Sequence, residues 1–158
     1  MNTHITLVTT IPNQVVESLQ RQNNIILSVV EATPFYIRNL KPPVTDAYNI
    51  LITYRCPYLI PEGKFRPFSL ALNIHPSLLP KYPGLNPWID MLANEETRGG
   101  ITIHKLCSIA DSGEIIAQEP FDFPIPFDIM SARNKADLIA ARLIVSLLKS
   151  EKLISSVF

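Results

Sequence analysis

The sequence predicts an α/β protein: a compact, Rossmann-like, mostly parallel central sheet flanked by helices. Three observations carry this expectation. Short β-branched or apolar runs alternate with segments of helical spacing. Several of those runs are apolar almost throughout, as strands covered on both faces are. One run, "FSLALNIH", ends in alternating polar groups, where an open α/β sheet delivers its chemistry, at the carboxyl end of a strand. A chain of 158 residues is an ordinary size for one domain and buries roughly two thirds of the surface its unfolded form exposes. A single domain over residues 1–158 is therefore expected, needing no disulfide or metal to fold.

The elements follow in order. "HITLVTT" reads as a strand that stops at Pro12, and "NQVVESLQRQN" then carries Val15, Val16 and Leu19 at helical spacing. "NIILSVV" is a second strand of the doubly covered type. The proline-containing connection "EATPFYIRNLKPPVTDAY" leads to a third, "NILITY", whose continuation "RCPYLIP" must turn. "FSLALNIH" is the fourth strand. It runs into a loop stiffened by Pro76, Pro80 and Pro83, and "NPWIDMLANEE" is a short helix with Asn86 as cap and Pro87 in its first turn. Gly99 and Gly100 are read as ending the next connection. "ITIHKL" alternates as a half-buried strand does, and "CSIADSG" joins it to "EIIAQEPFDF". The last segment, residues 131–153, is a long amphipathic helix with Ser131 as its cap. Leu138, Ile139, Leu143, Leu147 and Leu148 are expected to pack on the sheet, with apolar surface enough to serve a homodimer.

Composition narrows the function. Fourteen basic residues balance fourteen acidic ones, so no long-range field draws the chain to nucleic acid or to an anionic membrane. The N-terminus lacks a basic stretch followed by a long apolar one. The most apolar tail segment is broken by Arg142 and Lys149 and falls short of the roughly 20 residues a membrane span needs. No membrane partner and a cytoplasmic location are expected. Cys56 and Cys107 lie far apart with no metal-type spacing, which suits free thiols in a reducing compartment, a single disulfide being left open. All five glycines lie beyond the first strand and helix, so neither a dinucleotide fingerprint nor a P-loop is present.

The groups that could carry chemistry gather around the fourth strand. Asn73 and His75 are two positions apart and share a face of it. The imidazole gains and loses a proton near neutrality, and the amide donates to a developing oxyanion without changing charge. Asp111, before the glycine of "IADSG", is the carboxylate that could orient or charge the histidine. Each has a plainer reading: a histidine at a strand end is ordinarily a satisfied polar residue, and Asp111 a turn former. His104 reads as lying on the wet side of its strand or as a supporting partner, in preference to a catalytic group. Trp88 reads as a core or interface aromatic. No metal site is expected, because His104 and Cys107 fall on opposite strand faces, and Ser77 lacks the small neighbours of a nucleophile elbow.

"LNIHPSLLPKYPG", followed by "GGITIHKL" and "IADSGEIIAQ", resembles the catalytic core of the folate-dependent formyltransferases, which act on glycinamide ribonucleotide, methionyl-tRNA or amino sugars. The match runs from about residue 69 to 121, with "NILITYRCPYLIP" a weaker one upstream. The resemblance implies a catalytic set of Asn73, His75 and Asp111 and 10-formyltetrahydrofolate as co-substrate. It implies transfer of the formyl group to a primary amine of a small-molecule acceptor, with protonated His75 and Asn73 donating to the oxyanion. By the same resemblance Arg55, Cys56, Pro57, Tyr58 and Leu59 border the pterin, and the connection with Ile109 and Ala110 completes that wall. The chain departs from the family in lacking the first-turn glycine and in its short N-terminal half. No second domain and no excess positive charge of the kind tRNA enzymes use is expected. The spelling of the motifs is most like the sugar-type branch, so a nucleotide-linked amino sugar is the expected acceptor. A formyltetrahydrofolate hydrolase and a non-catalytic folate-binding protein stay open as alternatives.

Overall fold

The computed structural model describes residues 3–10, 13–44 and 46–150. Its centre is a six-stranded sheet of order β2-β1-β3-β4-β5-β6. The strands are β1 (Thr3–Thr9), β2 (Ile25–Glu31), β3 (Tyr48–Tyr54), β4 (Leu70–His75), β5 (Arg98–Lys105) and β6 (Ile115–Asp122). The first four pair in parallel, and β5 and β6 join antiparallel. All six expected strands are present and the sheet is mostly parallel.

Alternation along the strands sorts side chains onto two faces. Ile5, Leu7, Ile50, Ile52, Leu72 and Ile74 pack against the helices α1 (Gln14–Gln20), α4 (Pro87–Ala93) and α5 (Ile129–Lys149). Val8 and Leu51 face the other way, onto a smaller cluster with Ile37 of α2 (Pro34–Arg38) and Phe65 of α3 (Glu62–Phe65). These two short helices fall in segments read from sequence as connection and turn. Thr33 Oγ1 caps α2 by accepting from Tyr36 N at 3.3 Å, with Pro34 at the first position, a cap-and-proline start hidden by the surrounding prolines.

Other expectations are corrected. β2 is an edge strand with Ile26 and Val29 roughly half exposed, not a strand covered on both faces. Gly99 and Gly100 lie inside β5, where a Cβ would come within 2.6 Å of Phe123 and 2.3 Å of Leu78; they admit close packing and end nothing. α5 starts earlier than Ser131: Asp128 is its cap, accepting from Met130 N at 3.2 Å and Ser131 N at 2.9 Å. Its buried stripe is Ala132, Ala136, Ile139, Ala140 and Ile144, and Leu138 points outward, because small side chains let the helix lie close to the sheet and Leu138 falls off that stripe. Pro12 and residues 151–153 of the expected final helix lie outside the described residues. Asp128→Ala is expected to lower the melting temperature by a few degrees, read by thermal denaturation, with the cleft chemistry unaffected. No helix among the described residues is long and apolar enough to cross a membrane.

Candidate active site

Three adjacent strands place polar side chains at one level. Thr53 of β3 is in register with Asn73 of β4, and Asn73 with His104 of β5. A hydrogen-bonded row runs across them. Thr53 Oγ1 donates to Asn73 Oδ1 (2.7 Å), and Asn73 Nδ2 lies 3.0 Å from His104 Nε2. His104 Nδ1 faces the Lys105 carbonyl at 2.9 Å and must donate to it, which leaves Nε2 to accept from the amide. The row fixes which way the Asn73 amide points. His104 is 2% exposed, so its wet-side reading is overturned: it is a buried partner of Asn73. Antiparallel pairing of β5 brings it inward, a neighbour relation that its own alternation cannot show.

His75 lies one level up on the same face as Asn73. Its Nε2 donates to the Tyr82 carbonyl at 2.8 Å, and its Nδ1 is 3.5 Å from Asp111 Oδ1. The same carboxylate oxygen is 3.5 Å from Asn73 Nδ2 and 3.6 Å from His104 Nε2. Asp111 Oδ2 is anchored by the Gly84 N–H at 2.7 Å. One acid oxygen thus lies within 3.6 Å of three nitrogens; the Asn73 amide is a donor among them, and His75 Nδ1 becomes one when its ring is protonated. Asp111 arrives through the hairpin loop between β5 and β6, closed by Lys105 N donating to Glu114 O (2.9 Å).

The proline loop is held from beneath by a buried network. Thr102 Oγ1 accepts from Leu79 N (3.1 Å) and Gln118 Nε2 (2.8 Å) and donates to the Ser77 carbonyl (2.7 Å). Gln118 Nε2 also donates to Leu79 O (2.8 Å), and Ser77 Oγ donates to the Lys81 and Tyr82 carbonyls. With its hydroxyl so engaged, Ser77 is a loop staple. The Leu79–Pro80 peptide is cis. Arg55, Tyr82 and Asp111 all have left-handed backbone, with φ of 52°, 55° and 53°. Each such residue costs on the order of 1–3 kcal/mol, and all three flank the cleft or aim a group into it.

Burial pushes the His75 imidazole below its ordinary pKa of 6.5, against the favourable Tyr82 carbonyl and Asp111 charge. The free protein therefore favours the neutral ring, and the protonated form expected in the reaction is one that developing negative charge would have to draw out. Burial raises the Asp111 carboxyl, but the His104 ring, the Gly84 N–H and the His75 charge outweigh it and hold the acid below its usual range. A histidine with a depressed folded pKa binds fewer protons folded than unfolded, so its contribution falls as pH drops below 6.5 toward the folded value. The Asp111 contribution is lost only lower, as pH falls from 3.8. His75→Gln is thus expected to lose less stability than the wild type as pH falls below 6.5. Melting temperatures across that range that run parallel in the two proteins would contradict the assignment.

Around these groups lies a cleft of about 850 Å³. Arg55, Cys56, Pro57, Tyr58, Leu59, Ile109 and Ala110, named from sequence, all line it, as do Asn73, His75, His104 and Asp111. Thr10, Trp88 and Arg133 complete it in places no motif pointed to. Trp88 serves both cleft and core, being 7% exposed and packed with Phe123. Cys56 and Cys107 are free thiols, each donating to the carbonyl two residues on, Tyr58 O and Ile109 O. Burial raises the Cys56 pKa, outweighing a backbone hydrogen bond at Tyr58 that lowers it, so the thiol stays protonated.

A parallel-rich sheet carrying its polar cluster and cleft beside the carboxyl ends of β1, β3 and β4 defines an α/β protein with a site at the topological switch. The sequence pattern of the Formyl transferase family matches residues 1–123, and the chain belongs to that family. It is 35% identical over 104 residues to the methionyl-tRNA formyltransferase of Borrelia turicatae, covering 65% of this chain and 29% of that protein. The chain spans less than a third of the length of such relatives. Among solved structures, glycinamide ribonucleotide transformylase 1 from Symbiobacterium toebii superposes with a TM-score of 0.71 at 16% identity, over 90% of this chain and 84% of that one. A sugar N-formyltransferase from a Shewanella species gives 0.70 at 15% identity, over 92% and 68%. These likenesses show a shared fold.

Proposed function

We propose that the chain transfers a formyl group from 10-formyltetrahydrofolate to a primary amine. The observation that carries this reading is the convergence of Asn73, His75 and His104 on one oxygen of Asp111, within 3.6 Å, at the edge of the cleft. The exposed side chains of Tyr58, Leu59 and Ile109 give the cleft an apolar rim suited to a flat pterin, and the loop backbones on both sides offer it hydrogen bonds.

The attacking amine adds to the formyl carbon, and the carbonyl oxygen takes up negative charge. Asn73 Nδ2, locked by Thr53 and His104, donates to that oxygen. His75 joins it in its charged form, which the developing anion and Asp111 together favour against burial. Asp111 accepts the amine proton, directly or through a water, and a proton passes to the departing folate nitrogen as the carbon–nitrogen bond breaks. Fixing the two reactants side by side supplies much of the remaining acceleration.

For the acceptor we favour a nucleotide-linked amino sugar, on the spelling of the loop and "DSGEIIAQ" motifs. Incubation with 10-formyltetrahydrofolate, with and without a panel of amines, tests both levels. Amine-dependent release of tetrahydrofolate supports transfer. Release without amine makes the protein a hydrolase, and binding without release makes it a folate-binding protein.

A further inference from the structure

An α/β fold ordinarily receives an anion on the free N–H groups that open the helix after its first strand. Here that place is taken. Asn13 Oδ1 accepts from Val15 N (3.0 Å) and Val16 N (3.3 Å), and no glycine lets a ligand approach the turn. The cleft carries its permanent positive charge elsewhere. Among the residues lining it, Asp111 is the one acid, and Arg55 and Arg133 are the two arginines.

Arg55 is a built feature. It leaves β3 with left-handed backbone, its carbonyl accepts from the Thr10 hydroxyl at 2.9 Å, and its guanidinium meets Asp137 at 2.9 Å. The Asp137 side chain is 10% exposed and also accepts from the buried Tyr54 hydroxyl. A carboxylate anchored in this way holds Arg55 in one direction. Arg133 lies one turn before Asp137, the partner of Arg55, on the same face of α5, and it lines the same cleft as Arg55. Arg133 pairs with no carboxylate among the described residues.

We propose that Arg55 and Arg133 form an anion-binding subsite on the α5 side of the cleft, taking phosphate or carboxylate oxygens of a ligand, with Asp137 as the residue that aims Arg55. Planar guanidinium forks suit such oxygens better than a lone ammonium. The subsite deepens the transferase reading and rests on it for the ligand's identity: the anion belongs either to phosphates of the acceptor or to the glutamyl carboxylates of the folate donor.

Calorimetry on the full chain separates these sources without turnover. The probes are inorganic pyrophosphate, and 5-formyltetrahydrofolate carrying one or three glutamates. The variants are Arg133→Gln, at an exposed position, and Arg55→Lys, which keeps a charge for Asp137 but removes the fork. Arg133→Gln is expected to weaken pyrophosphate about tenfold, the size of one lost charge-assisted hydrogen bond. A loss confined to pyrophosphate assigns the subsite to the acceptor; one confined to the triglutamate assigns it to the donor. Unchanged affinity for both probes in both variants, or a wild type that binds neither, overturns the subsite. Pyrophosphate binding is read whether or not formyl transfer occurs, so the failure of either idea is recognised separately.

Discussion

Asp111→Asn is expected to slow amine-dependent release of tetrahydrofolate by on the order of a hundredfold to ten-thousandfold, with the fold intact. The amide keeps an oxygen able to accept from the Gly84 N–H, which in the wild type holds Asp111 Oδ2 at 2.7 Å. The charge that faces Asn73, His75 and His104 is lost, and with it the proposed acceptor for the amine proton. A second readout separates this chemistry from mere loosening. The Asp111 charge favours protonated His75, so its removal leaves burial less opposed, and the ring titrates at lower pH in the variant. Steady-state rates, a thermal melt and a histidine NMR titration check all three points. A rate within about threefold of the wild type would remove Asp111 from the mechanism, since loss of a general base costs far more.

Gly113→Ala is expected to be the most damaging small substitution for stability near the cleft. A Cβ at this position would stand 1.7 Å from the Lys105 carbonyl oxygen and 3.2 Å from His104 Nδ1. The obstacle is backbone that is itself engaged, because that carbonyl accepts from His104 Nδ1 and the adjacent Lys105 N–H closes the hairpin onto Glu114. The loop carrying Asp111 must therefore lift from the sheet, at a cost of about 3 kcal/mol or more. The expected result is a lowered urea midpoint together with lost activity. A variant of wild-type stability would show that the loop relaxes without cost and that Gly113 does not hold Asp111 in place.

The two predictions meet at the hairpin loop, where the limits of reading a chain by its pattern are also visible. Six strands were legible because apolar and β-branched runs announce themselves locally. The two histidines that face Asp111 were legible as residues, but for His104 the sequence left a wet-side position and a supporting partnership open. Nothing in the spacing of "ITIHKL" says that β5 reverses direction against β4 and sets His104 opposite Asn73. The short helices α2 and α3 were missed because four or five residues give no helical period to read. Ser131 reads as the cap because the apolar pattern resumes clearly only after it, while the hydrogen bonds of Asp128 begin the helix three residues sooner.

By itself the sequence determined the α/β class, the strands, and the placing of Asn73 and His75 on one strand face, because alternation and helical spacing are properties of neighbouring residues. It also determined that no glycine loop follows β1. Only the tertiary structure decided that Asp111 curls back to meet both histidines and that Thr53 and His104 lock the amide. It likewise decided that burial favours the neutral His75 ring and that α5 carries Arg133 to the cleft and Asp137 to Arg55. Those facts depend on strand order, strand direction and exclusion of water, and they join residues on different elements that no local pattern connects.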